Sequence, residues 1–243
     1  MFRIFGPPGT GKTTTLLNML DSALENGVSA NTIAFLAFTR KAANEAKERA
    51  SNRFHLDPEK DLFYFRTLHS LALSSSGIRT EQVMGKEHYK ELSDLISIPL
   101  VSGSTLEDDI LDRQANDHPI LSLINLARLC KTSLREQYNK TYMVFDWNTV
   151  NYVDKCYKEY KQQHELYDFT DMLQCFIDEA EVSCPKFELV FLDEAQDLSP
   201  LQWDIAHILD KNAKKMYAAG DDDQAIYRWA GADVEHFITL DGS

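Results

Sequence analysis

The sequence predicts an α/β fold in which a parallel sheet carries helices on both faces. Short apolar runs such as FRIF at 2–5 and TIAFLAFT at 32–39 alternate with stretches of helical spacing. That alternation is typical of a parallel sheet with helical crossovers. Between 78 and 165 the helical stretches follow one another without a clear strand. We therefore predict a discontinuous sheet domain, residues 1–77 and 166–243, interrupted by an all-helical insertion.

The first part of the chain reads as three strand–helix pairs. FRIF precedes TTTLLNMLDSALENG, which has helical spacing and Gly27 as a stop signal. TIAFLAFT precedes RKAANEAKERASNRF, whose Ala, Lys and Glu favour a helix. LFYFRT predicts a third strand, and LHSLALSSSG predicts a short helix that ends at a Ser/Gly break.

The insertion and the returning sheet follow. KEHYKELSDLI, HPILSLINLARLCKTSLREQYN and WNTVNYVDKCYKEYKQQHE each predict one helix. Asp168 and Asp171 mark the return to the sheet domain, and for Asp168 a role as helix N-cap stands beside a catalytic one. KFELVFLDEAQD and KKMYAAGDDDQ predict strands with polar ends. Between them, SPLQWDIAHILDKN predicts a helix with Ser199 as N-cap and Pro200 in its first turn.

Composition excludes several classes of protein. With 44% hydrophobic residues the chain has enough apolar side chains for a core, and no apolar run is long enough to cross a bilayer. The N-terminus lacks the pattern of a signal peptide. The four cysteines are scattered without a C-x-x-C pair, which fits a reducing compartment and predicts a cytoplasmic protein. A net charge of −13 argues against coating nucleic acid by bulk electrostatics but leaves room for a local basic groove.

The stretch GPPGTGKT is a candidate phosphate-binding loop. Gly6, Gly11, Lys12 and Thr13 satisfy G-x-x-x-x-G-K-[ST], and a predicted strand and helix flank them. Backbone N–H groups of such a loop point at phosphate oxygens, and the helix presents its positive end to them. Lys12 would reach the β- and γ-phosphates and the Thr13 hydroxyl would bind Mg²⁺. The predicted nucleotide-binding residues are Gly6, Pro7, Pro8, Gly9, Thr10, Gly11, Lys12, Thr13 and Thr14.

An acidic pair at the end of a later strand completes the predicted site. Four apolar residues precede Asp193 and Glu194 in LVFLDEAQD. Asp193 suits the metal, and Glu194 suits a base that orients the attacking water. Because a kinase would not need the adjacent base, the pair favours an enzyme that hydrolyses a nucleoside triphosphate.

Several segments together resemble the motifs of UvrD/Rep-type superfamily 1 DNA helicases. DEAQD and GDDDQAIYRWAGAD are similar to the second and third motifs of that family, and LAFTRKAANEAKER and FRTLHSLA to its DNA-contact segments. YDFTDML is similar to the segment that precedes the Asp-Glu strand. The order matches the family over nearly the whole chain. The resemblance implies a RecA-like P-loop domain with a helical insertion, ATP and Mg²⁺ as cofactors, and single-stranded DNA or a single-strand/duplex junction as partner.

The resemblance also implies roles for individual residues. Gln224 would sense the γ-phosphate and act with Lys12, Asp193 and Glu194 in catalysis, and Gln196 would lie near the same site. The implied DNA-binding residues are Phe38, Thr39, Arg40, His69, Tyr227 and Trp229. Aromatic faces bind any base, at roughly 1–3 kcal/mol each, which suits a motor that must pass over every sequence. Gln224 lies three residues before Tyr227, so one short segment would link phosphate state to grip on a base.

The chain departs from the family pattern in places. Only MFRIF precedes the phosphate loop, where the family has a Gln-containing segment that recognises adenine. Thr14 and Ala230 stand where the family commonly has Arg. The sequence ends just past the third motif, whereas related motors add a second sheet domain whose arginines act on the γ-phosphate. We therefore expect this chain alone to bind nucleotide, hydrolyse it slowly and leave duplex DNA intact, with a second motor domain acting in cis or in trans.

Three functions stay open from the sequence. The first is the ATP-hydrolysing half of a DNA helicase. The second is a module that binds nucleotide and DNA without turnover, which the intact Asp193–Glu194 pair opposes. The third is a P-loop NTPase that acts on another kind of partner, which the acidic charge supports and the order of the DNA-contact motifs opposes.

Overall fold

A five-stranded parallel sheet organises the chain, as the sequence predicts. The computed structural model describes residues 1–7, 10–100, 118–221 and 231–240. The strands are β1 (Phe2–Phe5), β2 (Ile33–Ala37), β3 (Phe65–Thr67), β4 (Phe187–Leu192) and β5 (Ala213–Gly220). Their order across the sheet is β1-β5-β4-β2-β3, and every pair is parallel.

Helices connect and cover the strands. They are α1 (Lys12–Glu25), α2 (Arg40–Phe54), α3 (Leu68–Ser75), α4 (Lys86–Ile96), α5 (Pro119–Leu129), α6 (Leu134–Lys140), α7 (Trp147–Gln163), α8 (Phe169–Asp178), α9 (Ala180–Ser183), α10 (Pro200–Lys211) and α11 (Val234–Thr239). Short 3-10 turns occupy Ala30–Thr32, Thr80–Gln82 and Ala195–Asp197.

Alternating side chains of the strands build one core on each face of the sheet. Ala34 and Leu36 of β2 belong to a cluster with side chains of α3, α8 and α10. Ile33 and Phe35 of the same strand point to the opposite face and pack with α1 and α2. Because both faces are covered, every residue of β2 is buried, which explains its continuous apolar run.

Helices α4, α5 and α7 share a third cluster of their own, which includes Leu92, Ile124 and Val153. The two ends of this helical segment lie side by side, since Tyr167 N–H donates to Gln82 O (2.7 Å) and Met84 N–H donates to Tyr167 O (2.9 Å). We propose on this ground that 78–165 is a subdomain inserted in the sheet domain.

The predicted helix caps are confirmed. The Ser199 hydroxyl accepts from the backbone N–H of Gln202, and Pro200 is the first residue of α10. Asp168 is the N-cap of α8, where its carboxylate accepts from the backbone N–H of Asp171 (2.8 Å). The N-cap interpretation of Asp168 is therefore correct.

Two predicted elements differ from the structure. The stretch from His118 to Asn139 forms two helices because Lys131 adopts a left-handed conformation (φ 55°) and Ser133 caps a new start at α6. The predicted strand LFYFRT pairs over its last three residues only, because Phe65 N–H bonds to Leu62 O (3.1 Å) in a turn.

All four cysteines are free thiols, in agreement with the absence of a disulfide pattern. Among the residues described, no helix combines the length and the apolar character needed to cross a membrane.

Gly220 at the end of β5 offers a test of packing behind the sheet edge. A Cβ atom there would lie 2.7 Å from Gln196 Oε1 and 2.7 Å from Phe237 Cζ. We expect Gly220→Ala to lower the free energy of unfolding by about 1–3 kcal/mol, because buried groups on two sides would have to move. Urea denaturation followed by circular dichroism measures this change.

The control is Gly85→Ala, where a Cβ would meet only the flexible carboxylate end of Glu87. We expect that substitution to cost less than about 1 kcal/mol, the scale of a weakened N-cap. An equal loss in both variants would contradict the packing argument.

Candidate functional site

Loops at the carboxyl edge of the sheet bring the predicted site residues together. The phosphate loop follows β1, the acidic pair follows β4, and Asp221 follows β5. In the strand order these three strands are neighbours, while β2 and β3 lie on the other half of the sheet. The carboxyl edge of an open parallel sheet is the usual place for ligands.

The phosphate loop is shaped by close backbone contacts. A Cβ at Gly6 would lie 2.7 Å from Thr10 Oγ1, and that hydroxyl donates to Pro7 O (2.7 Å). Gly11 has φ 80° and caps α1, a conformation that glycine adopts without strain. The two glycines at fixed motif positions are thus needed by the geometry of the loop. Thr14 is exposed on the first turn of α1, and Pro8 and Gly9 lie outside the described residues.

Lys12 curls its ammonium group into the loop. Lys12 Nζ donates to Gly6 O (2.7 Å) and to Pro7 O (3.3 Å), and it lies 3.6 Å from Asp221 Oδ2. These oxygen partners hold the cation where the phosphate oxygens of a nucleotide would replace the carbonyl groups. Asp221 is 1% exposed, so the ion pair is sheltered from water.

Thr13 and Asp193 meet across the gap between β1 and β4. Thr13 Oγ1 donates to Asp193 Oδ2 (2.8 Å), and Asp193 N–H extends the sheet by donating to Leu36 O (2.8 Å). Burial raises the pKa of Asp193, and the neighbouring Glu194 carboxylate adds to this, while the Thr13 hydrogen bond opposes it. A hydroxyl and a carboxylate side by side form a set of hard oxygen donors, which fits Mg²⁺.

Glu194 stands in a left-handed backbone conformation (φ 54°), which costs a non-glycine residue roughly 1 kcal/mol or more. Its N–H donates to Asp193 Oδ1 (3.1 Å), which links the two acidic residues. Its carboxylate accepts from Gln196 Nε2 (2.8 Å). The strained turn and this hydrogen bond together fix the position of the Glu194 carboxylate.

Gln196 is 1% exposed and uses both ends of its amide. Nε2 donates to Glu194 and also to Asp197 Oδ2 (3.2 Å), and Oε1 accepts from Asp221 N–H (3.0 Å). The amide therefore joins the turn after β4 to the residue after β5, at the point where residues 222–230 begin. The sequence indicated that Gln196 lies near the nucleotide site but not that it bridges two strand ends.

Asp221 and Asp197 are two members of the site that sequence reasoning missed. Asp221 directly follows β5, and β5 pairs with β1, the strand before the phosphate loop. Asp221 could therefore be assigned to the site only once the order of the strands in the sheet is known. Burial, followed by the nearby Glu194 carboxylate, raises the pKa of Asp197 to about 7.

Four of the six predicted DNA contacts follow β2 and β3. Phe38 is 8% exposed, so most of its ring is packed inside. Thr39 caps α2 by accepting from Ala42 N–H (3.3 Å), and Arg40 is the first residue of that helix. His69 lies on α3 and is half-buried.

The His69 ring lies edge-on to the Phe169 ring, with centroids 6.4 Å apart. Gln224, Tyr227 and Trp229 fall outside the described residues. The catalytic role of Gln224 and the roles of the other residues in binding DNA stay predictions.

The arrangement of the phosphate loop, the acidic pair and the predicted DNA-contact segments agrees with a family comparison. The UvrD/REP helicase N-terminal domain matches residues 2–243. The chain belongs to this family. The resemblance inferred from its motifs is thereby confirmed, and the five-stranded parallel sheet with surrounding helices agrees with a RecA-like P-loop domain.

Bacterial relatives are similar along almost the whole chain. The ATP-dependent DNA helicase PcrA of Bacillus subtilis (strain 168) is 25% identical over 241 residues, which cover 96% of this chain and 32% of that protein. The PcrA helicases of Staphylococcus epidermidis (strain ATCC 12228) and Staphylococcus aureus (strain NCTC 8325) are each 26% identical, over 98% of this chain and 33% of their own length. The chain thus spans about a third of the length of the curated relatives it matches.

Asp197 gives the site a measurable pH dependence. Because its pKa is raised to about 7, the folded protein holds a proton that the unfolded chain has lost, and stability from this group falls as pH rises from about 4 to 7. We expect Asp197→Asn, which needs no proton, to gain stability relative to wild type between pH 5 and pH 8. Urea unfolding at several pH values, in EDTA and without nucleotide, measures the difference.

The control is Asp57→Asn. Backbone N–H groups of Glu59 and Lys60 lower the pKa of Asp57, so Asp57 is ionised in both states across this pH range. Its stability difference from wild type is expected to stay constant. A constant difference for Asp197→Asn as well would contradict the raised pKa.

Proposed function

We propose that this chain is the ATP-binding and ATP-hydrolysing half of a helicase that moves along single-stranded DNA. The hydrogen bond between Thr13 and Asp193 carries the proposal, because it brings the phosphate loop and the acidic pair into one site. Family membership supports ATP and DNA as the substrates, and the names of the PcrA relatives agree with both.

The residues divide the chemistry between them. The loop amides and Lys12 would bind the phosphates, with Thr14 exposed beside them. Thr13 and Asp193 would hold Mg²⁺, which supplies positive charge against the terminal phosphates. Glu194 would accept a proton from the attacking water. Gln196 Nε2 donates a hydrogen bond to the Glu194 carboxylate and so holds that carboxylate in place.

The same amide offers a route from the nucleotide site to DNA. Gln196 bonds to Asp221 N–H, and Asp221 opens the segment with Gln224, Tyr227 and Trp229. In the proposal Gln224 senses the γ-phosphate, and Tyr227 and Trp229 stack on bases together with contacts from Phe38, Thr39, Arg40 and His69. A displacement of Gln224 at the nucleotide would then also move Tyr227 and Trp229 at the bases.

The proposal includes a second motor domain, in cis or in trans. A cation supplied to the γ-phosphate is worth on the order of 10³–10⁵ in rate in phosphoryl transfer, and translocation needs two bodies that open and close. We therefore propose that this part alone hydrolyses ATP slowly and does not separate strands. Unwinding by this part alone would overturn that statement. A cytoplasmic location also belongs to the proposal, because four free cysteines suit a reducing compartment.

The first test of the proposed function is Glu194→Gln. We expect ATP hydrolysis to fall by about 10²-fold or more, because the base that orients water is lost. Nucleotide affinity should stay within a few-fold of wild type, since Lys12 and the loop are intact. The measurement is single-turnover ATP hydrolysis with protein in excess, with and without oligo-dT, alongside binding of a fluorescent ATP analogue.

Glu188→Gln is the matched control, because Glu188 lies near the amino end of β4, the strand that Glu194 follows, and pairs on the surface with Lys214 (2.7 Å). It should hydrolyse ATP like wild type. Hydrolysis equal in wild type and Glu194→Gln, with ATP bound by both, would identify a binding module without turnover. Hydrolysis that oligo-dT fails to stimulate would favour another kind of partner.

A second test concerns Gln196→Glu. A carboxylate cannot donate to Glu194 or Asp197, so three acidic groups would repel one another and the carboxylate of Glu194 would lose its support. We expect the stimulation of hydrolysis by oligo-dT to fall by about 3- to 30-fold, the scale of a coupling residue. Gln174→Glu adds the same charge on the surface of α8 and should leave the stimulation unchanged. Stimulation as in wild type for Gln196→Glu would show that the amide is not the link.

A further inference from the structure

Helix α5 of the helical segment is fixed by its charged end to the sheet domain. The guanidinium of Arg128 donates through one nitrogen to both carboxylate oxygens of Asp168 (3.0 and 2.7 Å). Its other terminal nitrogen bonds to Asp171 Oδ1. Asp168 is 2% exposed and is the N-cap of α8, so Arg128 fixes α5 to the first turn of α8.

Two further groups complete this cluster. Lys161 of α7 bonds to both Asp168 and Asp171, and the Tyr157 hydroxyl donates to Asp168 Oδ2 (2.8 Å). Burial alone would raise the pKa of Asp168, but Lys161 and Arg128 hold it well below its ordinary value. Two carboxylates thus balance two cations, and the loss of one cation would leave a buried charge unpaired.

The first turn of α8 leads to a predicted DNA contact. Phe169 directly follows Asp168, and its ring lies against His69 of α3. Helices α3 and α8 also share the core on this face of the sheet through Leu71, Met172 and others. The position of His69 therefore depends on where α8 begins.

The same helix α5, together with its C-cap Cys130, contacts Gly231. A Cβ at Gly231 would lie 3.0 Å from Leu126 Cδ1 and 3.1 Å from Cys130 Sγ, and Gly231 has φ 94°. Gly231 follows directly on the segment with Tyr227 and Trp229. Helix α5 thus contacts both the first turn of α8, which packs beside His69, and Gly231, the residue that follows the segment with the two aromatic residues.

We propose that Arg128 is a positioning residue for DNA binding. It holds α5 against α8 so that His69, which follows β3, and Gly231, which follows the segment with Tyr227 and Trp229 in the sequence, keep one spacing. This inference rests on the proposed function, because it takes His69, Tyr227 and Trp229 as DNA contacts. The planar fork of arginine is needed, since it reaches three carboxylate oxygens on two residues at once, and a lysine in its place presents one point charge.

The experiment compares the affinity of variants for fluorescein-labelled oligo-dT by anisotropy. We expect Arg128→Met to weaken binding about tenfold and Arg128→Lys about threefold or more, the range reported for residues that couple sites without touching the ligand. Binding of a fluorescent ATP analogue should stay within about twofold of wild type, because the hydrogen bonds between members of the cluster join only residues of α5, α7 and α8 with its N-cap among those the structure describes. Thermal unfolding confirms that each variant is folded at the assay temperature.

Lys131→Met is the matched control for charge. Lys131 lies just after the same helix, is half exposed, and pairs with Asp204 of α10 (2.6 Å). The Lys131→Met substitution removes the same charge and also breaks an ion pair to the sheet domain. Because surface ion pairs contribute little, the affinity for oligo-dT should change less than about twofold. A loss equal to that of Arg128→Met would reduce the effect to net charge and overturn the inference.

For Asp171→Asn, a positioning role and bulk electrostatics predict changes of opposite sign in the affinity for DNA. The substitution makes the protein less acidic, so bulk electrostatics predicts tighter binding to DNA, whereas loss of one arm of the fork predicts weaker binding by about threefold. Weaker binding supports the inference and tighter binding overturns it. This variant also serves if Arg128→Met does not fold.

The dependence of affinity on salt distinguishes positioning from direct contact. If Arg128 touched a phosphate, its loss would reduce the slope of log Kd against log salt by about 1. We expect an unchanged slope, and a reduced slope would overturn the inference. Wild-type protein that does not bind oligo-dT would overturn the proposed function itself, whereas wild-type binding matched by all variants would overturn the role of Arg128 alone.

Discussion

The contact between Thr13 and Asp193 is the interaction on which the site depends. Strand β5 lies between β1 and β4, so the phosphate loop and the acidic pair start from strands roughly 10 Å apart. The registers place Phe5 beside Gly220 and Leu192 beside Ala218, so Asp193 lies level with the end of β1, where the phosphate loop begins. A slip of one residue in either pairing would reverse which side chains face the cores and would separate the two halves of the site.

Buried hydrogen bonds connect the Thr13–Asp193 contact to the neighbouring strand end after β5. Gln196 bonds to Glu194, Asp197 and Asp221 N–H without access to water, and in such an environment each hydrogen bond is strong and each unsatisfied group is costly. A displacement of the turn after β5 would therefore leave the amide unsatisfied unless Glu194 moved as well. This requirement gives a physical reason for motion at one strand end to follow motion at the other.

Local features of the fold were readable from the sequence, and partnerships between distant residues were not. Helix α2 and helix α4 begin and end with the stretches rich in helix-forming residues, and strand β2 is a continuous apolar run because both of its faces are buried. The break at Lys131 carries no Gly or Pro to mark it. Arg128 and Asp168 are 40 residues apart in the chain, and Gln196 and Asp221 are 25 apart, so no spacing rule links them.

The charged cluster around Asp168 fixes the orientation of the helical segment relative to α8. The chain enters and leaves that segment at one place, where Gln82 and Met84 bond to Tyr167, so contacts elsewhere are needed to fix the orientation of the segment. Apolar contacts resist separation but are non-directional, whereas the fork of Arg128 is satisfied at one angle only. Buried ion pairs add little net stability compared with apolar groups, but removal of one partner is expensive. We infer that the cluster fixes the orientation of α5 relative to α8, and with it the spacing of the elements that flank the carboxyl edge of the sheet.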